Sequence, residues 1–187
     1  EVRDSVSTAQ GAGITPIMIT GDHKKTAFAI ASGLGMAESP DQCLTGAELD
    51  RLSDDEFSTS IGRYRVFARV SPEHKVRIVR AFKAGGNIVS MTGDGVNDAP
   101  ALKAADVGVA MGITGTDVSK GASDIILTDD NFTTIIHAVE AGRNIYNNIK
   151  KAVIFLLSCN LGEVVTIMLS ILFDWVVPLL NTQILWI

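Results

Sequence analysis

The sequence has little of what marks several common protein classes. Its only two cysteines, Cys43 and Cys159, stand far apart, which argues against a disulfide framework and favours two reduced thiols. It has 16 Lys and Arg against 21 Asp and Glu, a formal net charge of −5, and it lacks the basic stripe that binds nucleic acid. It also has no repeat and no low-complexity tract, and its first residues do not have the composition of a signal peptide.

Basic residues are missing from the last part of the chain. No Lys or Arg follows Lys151, and the only acidic residues beyond it are Glu163 and Asp174. Residues 152–173 form an apolar run that would be about 33 Å long as a helix, enough to cross the hydrocarbon core of a bilayer. We therefore expect a membrane-spanning helix at residues 152–173.

The sequence around this run predicts its orientation and its neighbours. The bases that precede it place residues 1–151 in the cytoplasm by the positive-inside rule. A second apolar run, residues 176–187, is too short to cross a bilayer, and we expect it to be the start of the next span. Because the chain has no initiating Met, we expect a piece of a longer protein, integral to the cell membrane.

Residues 1–130 alternate between helical and strand patterns. Such βα repetition predicts a doubly wound parallel α/β sheet, in which ligands bind at the carboxyl ends of the strands. The segment after Val70 illustrates the pattern, because Ser71 is a typical N-cap and Pro72 suits the first helical position. From about Asn131 one helix is expected to run through a stalk, residues 131–151, into the apolar run.

Two near-identical motifs stand at predicted strand ends. "MITGD" ends at Asp22, and "MTGDG" contains Asp94. One such triplet carries little weight, because Asp and Gly are common in turns. Two of them at strand ends favour a site for an anionic ligand, since glycine allows the backbone to approach the ligand closely.

Further polar residues belong to the same predicted site. Asp94, Asn97 and Asp98 cluster within and directly after the second motif, and carboxylates suit a hard cation such as Mg²⁺. Lys75, in the first turn of a predicted helix, can supply the point charge that a phosphate requires. The alternative is structural, with turn-forming carboxylates and a solvated lysine.

Longer motifs carry a resemblance to a known family. "MTGDGVNDAPAL", "MITGD", "FARVSPEHK" and "DDNFTTIIHAVEAGRNIYNNIKKAV" resemble segments of the P-type ATPases, cation pumps that form an aspartyl-phosphate. "SCNLGEVV" is similar to the ion-binding stretch of the fifth transmembrane helix in calcium pumps. The resemblance covers essentially the whole chain. It implies that residues 1–130 are the C-terminal part of a phosphorylation domain with a haloacid-dehalogenase-like fold.

The resemblance also implies roles for the polar residues of the predicted site. Asp94 would bind Mg²⁺, and Asp98 would support the same loop and is a second candidate Mg²⁺ ligand. Asn97 and Thr20 would contact the transferred phosphoryl group, and Lys75 would neutralise its charge.

The remaining implied roles concern the nucleotide and the strand end. Gly21 and Asp22 would hold the loop that faces ATP. Arg69 joins Thr20 and Lys75 as a candidate ATP contact. Gly93 would let the end of its strand open.

One departure from the family pattern limits the expected activity. The nucleophilic Asp of these pumps lies in a DKTGT motif, and the sequence contains no such motif. We therefore expect the chain alone to be inactive. The expected partners are ATP, Mg²⁺, the transported cation, the lipid bilayer and the rest of the pump, namely its actuator, nucleotide-binding domain and other transmembrane helices.

The apolar run contains an amide and a carboxylate, Asn160 and Glu163, three residues apart and so on one helix face. A carboxylate there is costly and usually functional. The resemblance implies that both residues bind Ca²⁺, with Gly162 allowing close helix packing or local unwinding. One helix does not determine the ion, so Na⁺, Mn²⁺ and H⁺ remain alternatives, and Asn160 can instead join neighbouring helices by hydrogen bonds.

Two other functions compete with the pump. A non-catalytic regulatory or truncated product would bind Mg²⁺ or nucleotide without turnover, which is consistent with the missing nucleophile. A membrane-anchored phosphatase of the same fold is less favoured, because it also requires a nucleophilic Asp.

Overall fold

The computed structural model describes residues 1–175 as six short strands interleaved with helices. The strands are β1 (Met18–Thr20), β2 (Cys43–Thr45), β3 (Val66–Ala68), β4 (Ser90–Gly93), β5 (Val107–Met111) and β6 (Ile125–Leu127). The α-helices are α1 (Val2–Gly11), α2 (Lys24–Gly33), α3 (Gly46–Leu49), α4 (Asp54–Ser60), α5 (Pro72–Ala84), α6 (Ala99–Ala104), α7 (Asp117–Gly121) and α8 (Phe132–Leu172). Short 3₁₀ turns occupy Pro40–Gln42, Ile61–Arg63 and Val96–Asp98.

All the strand pairs among the described residues are parallel, as the βα pattern predicted. The strands form two three-stranded sheets, ordered β2-β3-β1 and β4-β5-β6. Met18 pairs in register with Val66, and Met91 with Gly108. Because the strands of each sheet run in the same direction, their carboxyl ends lie along one edge of that sheet. At these edges β1 ends at Thr20 and β4 ends at Gly93.

The structure differs from the expected single sheet, because β1 and β4 are not hydrogen-bonded to each other. Their side chains nevertheless share a core, since Ile19 of β1 packs against the cluster that contains Met91 of β4. The short edge strand β2 was not anticipated. Its sequence, Cys-Leu-Thr, is too brief to show a reliable period of two.

The first sheet owes its core to aromatic packing around Phe67. Its ring is fully buried and lies edge-on to the rings of Phe57 and Phe82, with Tyr64 tilted against it. Full burial of one such side chain stabilises the fold by about 1.5–3 kcal/mol. Cys43 is also buried, and this burial raises the pKa of its thiol, in agreement with an unreactive reduced cysteine.

Local capping determines where α5 begins. Ser71 Oγ accepts a hydrogen bond from the His74 amide at 3.4 Å, and His74 Nδ1 accepts one from the Ser71 amide at 3.0 Å. Pro72 occupies the start of the helix, as predicted. This cap fixes the first turn of α5, which carries Lys75.

The long helix predicted from about Asn131 is confirmed, and α8 runs without a break for 41 residues. It contains an apolar window with a mean hydropathy of 2.0, long enough to cross a membrane. Gly162 remains helical, and its carbonyl accepts a hydrogen bond from Thr166 Oγ1 at 2.7 Å. The chain divides into two compact units, and the first ends at His137. Residues 176–187, expected to be the start of the next span, lie outside the described residues.

Candidate functional site

The turn after β1 is joined to the turn after β3. The carbonyl of Thr20 accepts from the Val70 amide at 3.5 Å, and that of Asp22 accepts from the Arg69 amide at 3.2 Å. Within the turn, the Asp22 amide donates to Thr20 Oγ1 at 3.1 Å. Gly21 and Asp22 are exposed at this edge. These contacts hold three of the predicted nucleotide-site residues beside Arg69.

Arg69 has a left-handed backbone, with φ of 52°. This conformation is uncommon for a residue other than glycine, and such strain is often found at functional sites. Its side chain forms no hydrogen bond within residues 1–175 and remains exposed. The guanidinium is therefore available to bind an anion.

A nearly buried ion pair links α5 to the turn after β4. Lys75 Nζ lies 2.5 Å from Asp98 Oδ1, and the two side chains are 20% and 8% exposed. The other oxygen, Asp98 Oδ2, accepts from the amides of Asp94 at 3.3 Å and Gly95 at 3.1 Å. Asp98 thus orients the lysine and supports the backbone of the Asp94 loop at the same time.

The main chain of Asp94 is held from its carbonyl side as well. That carbonyl accepts from the Thr116 amide at 2.9 Å and lies 3.0 Å from Ser119 Oγ. The carboxylate of Asp94 is exposed and accepts no hydrogen bond within the described part of the chain. The residue therefore has a fixed backbone and a free carboxylate.

This arrangement fits a magnesium ion shared with a phosphate. Mg²⁺ is usually held by one or two protein carboxylates, with phosphate oxygens and water completing its shell. Asp94 supplies one free carboxylate, whereas both oxygens of Asp98 already have partners. No group of three or more His, Cys, Asp or Glu side chains that could hold a metal occurs within residues 1–175, so a site formed by the chain's own side chains alone is not indicated.

The predicted site residues fall into three groups. The first group is the turn of Thr20 and Asp22, which is hydrogen-bonded to the Arg69 segment. The second group is the Lys75–Asp98 pair with the Asp94 loop, and it is connected to the first because α5, which carries Lys75, follows the Arg69 segment. Asn97 is exposed in the same loop, and no hydrogen bond of its side chain is formed within the described residues. The third group, Asn160 and Glu163, belongs to the second compact unit.

On α8, the two predicted cation ligands have different surroundings. Asn160 is exposed, whereas Glu163 is partly buried. Glu163 Oε1 is buried and has no hydrogen-bond partner. A buried carboxylate oxygen without a partner is unfavourable, and either a proton or a cation would relieve it.

Three residues that hold the loops were not anticipated from the sequence. Thr116 and Ser119 fix Asp94, and Asp130 accepts hydrogen bonds from the segment before Thr116. Burial of Asp130 would raise its pKa, but hydrogen bonds from the Ile113 and Thr114 amides and from neighbouring donors outweigh it and lower the pKa to about 2. No local pattern in the sequence indicates that these three residues hold the loops.

Comparisons with known proteins agree with this geometry. The family model of the haloacid dehalogenase-like hydrolases matches residues 1–106. Calcium-transporting ATPase 1 of Bacillus cereus is 64% identical over 187 residues, which are all of this chain and 21% of that protein. P-type sodium-transporting ATPase4 of Toxoplasma gondii is 49% identical over all of this chain and 15% of its own length.

A solved structure supports the same fold. It belongs to a study of conformational changes in the catalytic domain of the CPx-ATPase CopB-B upon nucleotide binding. It matches with a TM-score of 0.56 and 32% identity, over 74% of this chain and 44% of that one. The chain itself spans about a fifth of the length of its bacterial calcium-transporting relative.

The family resemblance and the fold class expected from the sequence are thereby confirmed. The chain belongs to the haloacid dehalogenase-like hydrolase family, and it is similar along its whole length to part of the P-type cation-transporting ATPases.

Proposed function

We propose that the protein containing this chain is an ATP-driven cation pump that works through an aspartyl-phosphate, with Ca²⁺ as its cargo. The observation that carries the proposal is the assembly of Lys75, Asp98 and Asp94 at the carboxyl ends of parallel strands. Such a site suits a phosphate ligand, and the chain is most similar to calcium-transporting ATPases among the relatives described above.

Phosphoryl transfer depends mainly on positioning and charge stabilisation, and the chain's own residues supply both. Lys75, oriented by Asp98, faces the negative charge that builds up on the transferred group. The Thr20 hydroxyl and the Asn97 amide donate hydrogen bonds to it. Asp94 would hold Mg²⁺, which neutralises phosphate charge when bound.

The nucleotide contacts proposed for this chain lie in the neighbouring turns. Gly21 and Asp22 form the loop that faces ATP, and Arg69 adds a guanidinium for its phosphates. Their exposure at one edge and the contacts between Asp22 and Arg69 support this assignment.

The attacking carboxylate has to come from another part of the protein. The sequence contains no DKTGT motif, and we propose that the 187 residues alone form no phosphoenzyme. Within the whole pump, residues 1–130 belong to the phosphorylation domain, residues 131–151 to the stalk and residues 152–173 to the fifth transmembrane helix. The actuator, the nucleotide-binding domain and the other membrane helices complete the machine.

The proposed transport site lies on the membrane part of α8. A charged carboxylate at the centre of a bilayer costs about 3 kcal/mol on insertion scales, so Glu163 requires a compensating partner. Its partnerless oxygen supports a role as a cation ligand, together with Asn160 three residues earlier. In this proposal residues 1–151 are cytoplasmic and the membrane is the cell membrane.

Sodium is a second candidate cargo, because one relative with 49% identity is described as a sodium-transporting ATPase. Oxygen ligands on one helix do not distinguish Ca²⁺ from Na⁺, since coordination number and geometry depend on the other helices. Mn²⁺ and H⁺ are further alternatives.

The test is ATP hydrolysis by the full-length protein across a Ca²⁺ titration, with the wild type beside Glu163→Gln. Glu140→Gln, on the same helix before the apolar window, is the matched control. We expect micromolar Ca²⁺ to stimulate the wild type and the control, and Glu163→Gln to require at least tenfold more Ca²⁺.

Other results would change the conclusion in defined ways. Stimulation by Na⁺, Mn²⁺ or acid pH, but not by Ca²⁺, would keep the pump and replace the cargo. If no ion stimulates hydrolysis, the pump proposal is wrong and the non-catalytic Mg²⁺- or nucleotide-binding function takes its place.

A further inference from the structure

The Asp130 carboxylate accepts four hydrogen bonds, and the proposed reaction does not by itself require them. Its Oδ1 accepts from the amides of Gly112 at 2.6 Å and Ile113 at 3.0 Å. Its Oδ2 accepts from the amide and the hydroxyl of Thr114 at 2.7 and 2.8 Å. One carboxylate therefore holds the backbone of three consecutive residues after β5.

The backbone of Asp130 is adapted to this task. Its φ is 50°, in the left-handed region that side chains other than Asn and Asp rarely adopt. In this conformation the Asp130 carboxylate contacts residues 112–114. The Gly112 amide is shared, because it also donates to the Leu127 carbonyl at 2.7 Å, and this contact places the start of the loop against the end of β6.

The loop held by Asp130 leads directly to Asp94. Two residues after Thr114, the Thr116 amide donates to the Asp94 carbonyl at 2.9 Å. Thr116 also caps α7, where its Oγ1 accepts from the Ser119 amide at 3.2 Å. Fully buried Ser119 completes the contact, with its Oγ 3.0 Å from the same Asp94 carbonyl.

We infer that Asp130 is a positioning residue for Asp94, acting through the segment 112–116 and Thr116. In this proposal Asp130 acts on Asp94 through the backbone of the loop and does not itself bind the metal. Asp98 holds the amide of Asp94, and the Asp130-supported loop holds its carbonyl, so two separate attachments keep the carboxylate ready for Mg²⁺. The role of the metal rests on the proposed function.

Asp130 also lies next to the beginning of α8. Asp129 Oδ1 accepts from the Asn131 amide at 3.1 Å, and Asp129 Oδ2 accepts from Thr134 Oγ1 at 2.5 Å, so it caps the first turn of α8. Among the described residues, Asp129 forms its side-chain hydrogen bonds with Asn131 and Thr134 and none with the 112–116 loop, although it carries the same charge as Asp130. It is therefore a matched control for Asp130.

The experiment compares full-length wild type, Asp130→Asn and Asp129→Asn in Mg²⁺ titrations. Asn tolerates the left-handed backbone, but its amide has one acceptor oxygen, and an NH₂ donor replaces the second carboxylate oxygen. We expect Asp130→Asn to raise the Mg²⁺ concentration for half-maximal ATP hydrolysis at least fivefold. The KM for ATP should stay within twofold, and Asp129→Asn should match the wild type in both quantities.

A second readout does not depend on turnover. Mg²⁺ added in the presence of inorganic phosphate should raise the thermal midpoint of the wild type, and Asp130→Asn should need at least fivefold more Mg²⁺ for the same shift. If the wild type hydrolyses no ATP, the pump proposal fails, and this shift still decides the role of Asp130. A Mg²⁺ requirement within twofold of wild type would overturn that role, even with a lower thermal midpoint.

A further variant covers a failure of Asp130→Asn to fold. Ser119→Ala removes one hydroxyl from the Asp94 carbonyl and leaves the Thr116 amide in place. It should raise the Mg²⁺ requirement about threefold by both readouts. An unchanged requirement in Ser119→Ala would overturn the inference that the carbonyl attachment positions Asp94.

Discussion

Gly93 is the position at which a single methyl group should disturb the candidate site most directly. A Cβ added there would lie 2.5 Å from Asp98 Cβ and 2.8 Å from Asp98 Cγ. Carbon atoms in contact are normally about 3.5–4.0 Å apart, so Asp98 would have to move by about 1 Å. The substitution Gly93→Ala should therefore disturb the site by displacing the side chain of Asp98.

The magnitude follows from the contacts that such a movement breaks. Asp98 Oδ2 is already 3.3 Å from the Asp94 amide and 3.1 Å from the Gly95 amide, so a 1 Å shift removes both hydrogen bonds. Overpacking costs about 1–3 kcal/mol, and each charged hydrogen bond contributes about 1.5–3 kcal/mol. Because Lys75 can follow part of the movement, we expect a net local destabilisation of about 3 kcal/mol.

Hydrogen–deuterium exchange of the full-length protein measures this local opening. About 3 kcal/mol corresponds to roughly 100-fold faster exchange of the Asp94 and Gly95 amides, since every 1.4 kcal/mol is a factor of ten. ATP hydrolysis should fall by about 100-fold, because a displacement of 1 Å in a catalytic site has effects of that order.

Gly95→Ala is the matched control in the same loop. A Cβ on Gly95 would lie 3.5 Å from Asp98 Oδ2, an ordinary contact, and the φ of Gly95 is −95°, which any residue adopts. We expect exchange within threefold of wild type. Equal effects of the two substitutions, or no effect of Gly93→Ala, would refute the view that close approach to Asp98 requires glycine at position 93.

Two further predictions concern charge. In a double-mutant cycle, Lys75→Met and Asp98→Asn should each destabilise the protein, because each single change leaves a nearly buried charged or polar partner without its counterpart. The double variant should therefore be destabilised by about 1–3 kcal/mol less than the sum of the two single variants. Additive shifts of the thermal midpoint would contradict this pairing. Because the folded-state pKa of Asp130 is about 2, below the ordinary 3.8, its contribution to stability is present above pH 3.8 and is lost as the pH falls towards 2. The difference in thermal midpoint between wild type and Asp130→Asn should therefore shrink over that range, and a difference that stays constant from pH 6 to pH 2.5 would rule this out.

Several features were predictable because their causes are local in the chain. The cap of α5 depends on Ser71, Pro72 and His74, which are neighbours in sequence. The apolar run on α8 depends on composition over a continuous window. The motifs around Asp22 and Asp94 were placed correctly after strands, since an apolar run followed by Gly-Asp signals both the strand and its end.

Other features depend on residues far apart in the sequence. Lys75 and Asp98 are 23 positions apart, and the sequence offered them only as separate candidates for different roles. The structure pairs Lys75 with Asp98 Oδ1, while the amides of Asp94 and Gly95 occupy Asp98 Oδ2, and this leaves Asp94 as the free carboxylate. A pattern of periodicity or composition carries no information about such a pairing.

The sequence by itself determined the class of the fold, the order of its helices and strands apart from β2, the long apolar helix and the family, because hydropathy, caps and motifs depend on contiguous residues. Only the tertiary structure decided that the strands form two sheets, that β2 joins the first of them, and that Asp130 holds a loop 16 to 18 positions away. These outcomes depend on which backbone groups meet after the chain has packed, and hydrogen bonding between distant segments is settled by that packing.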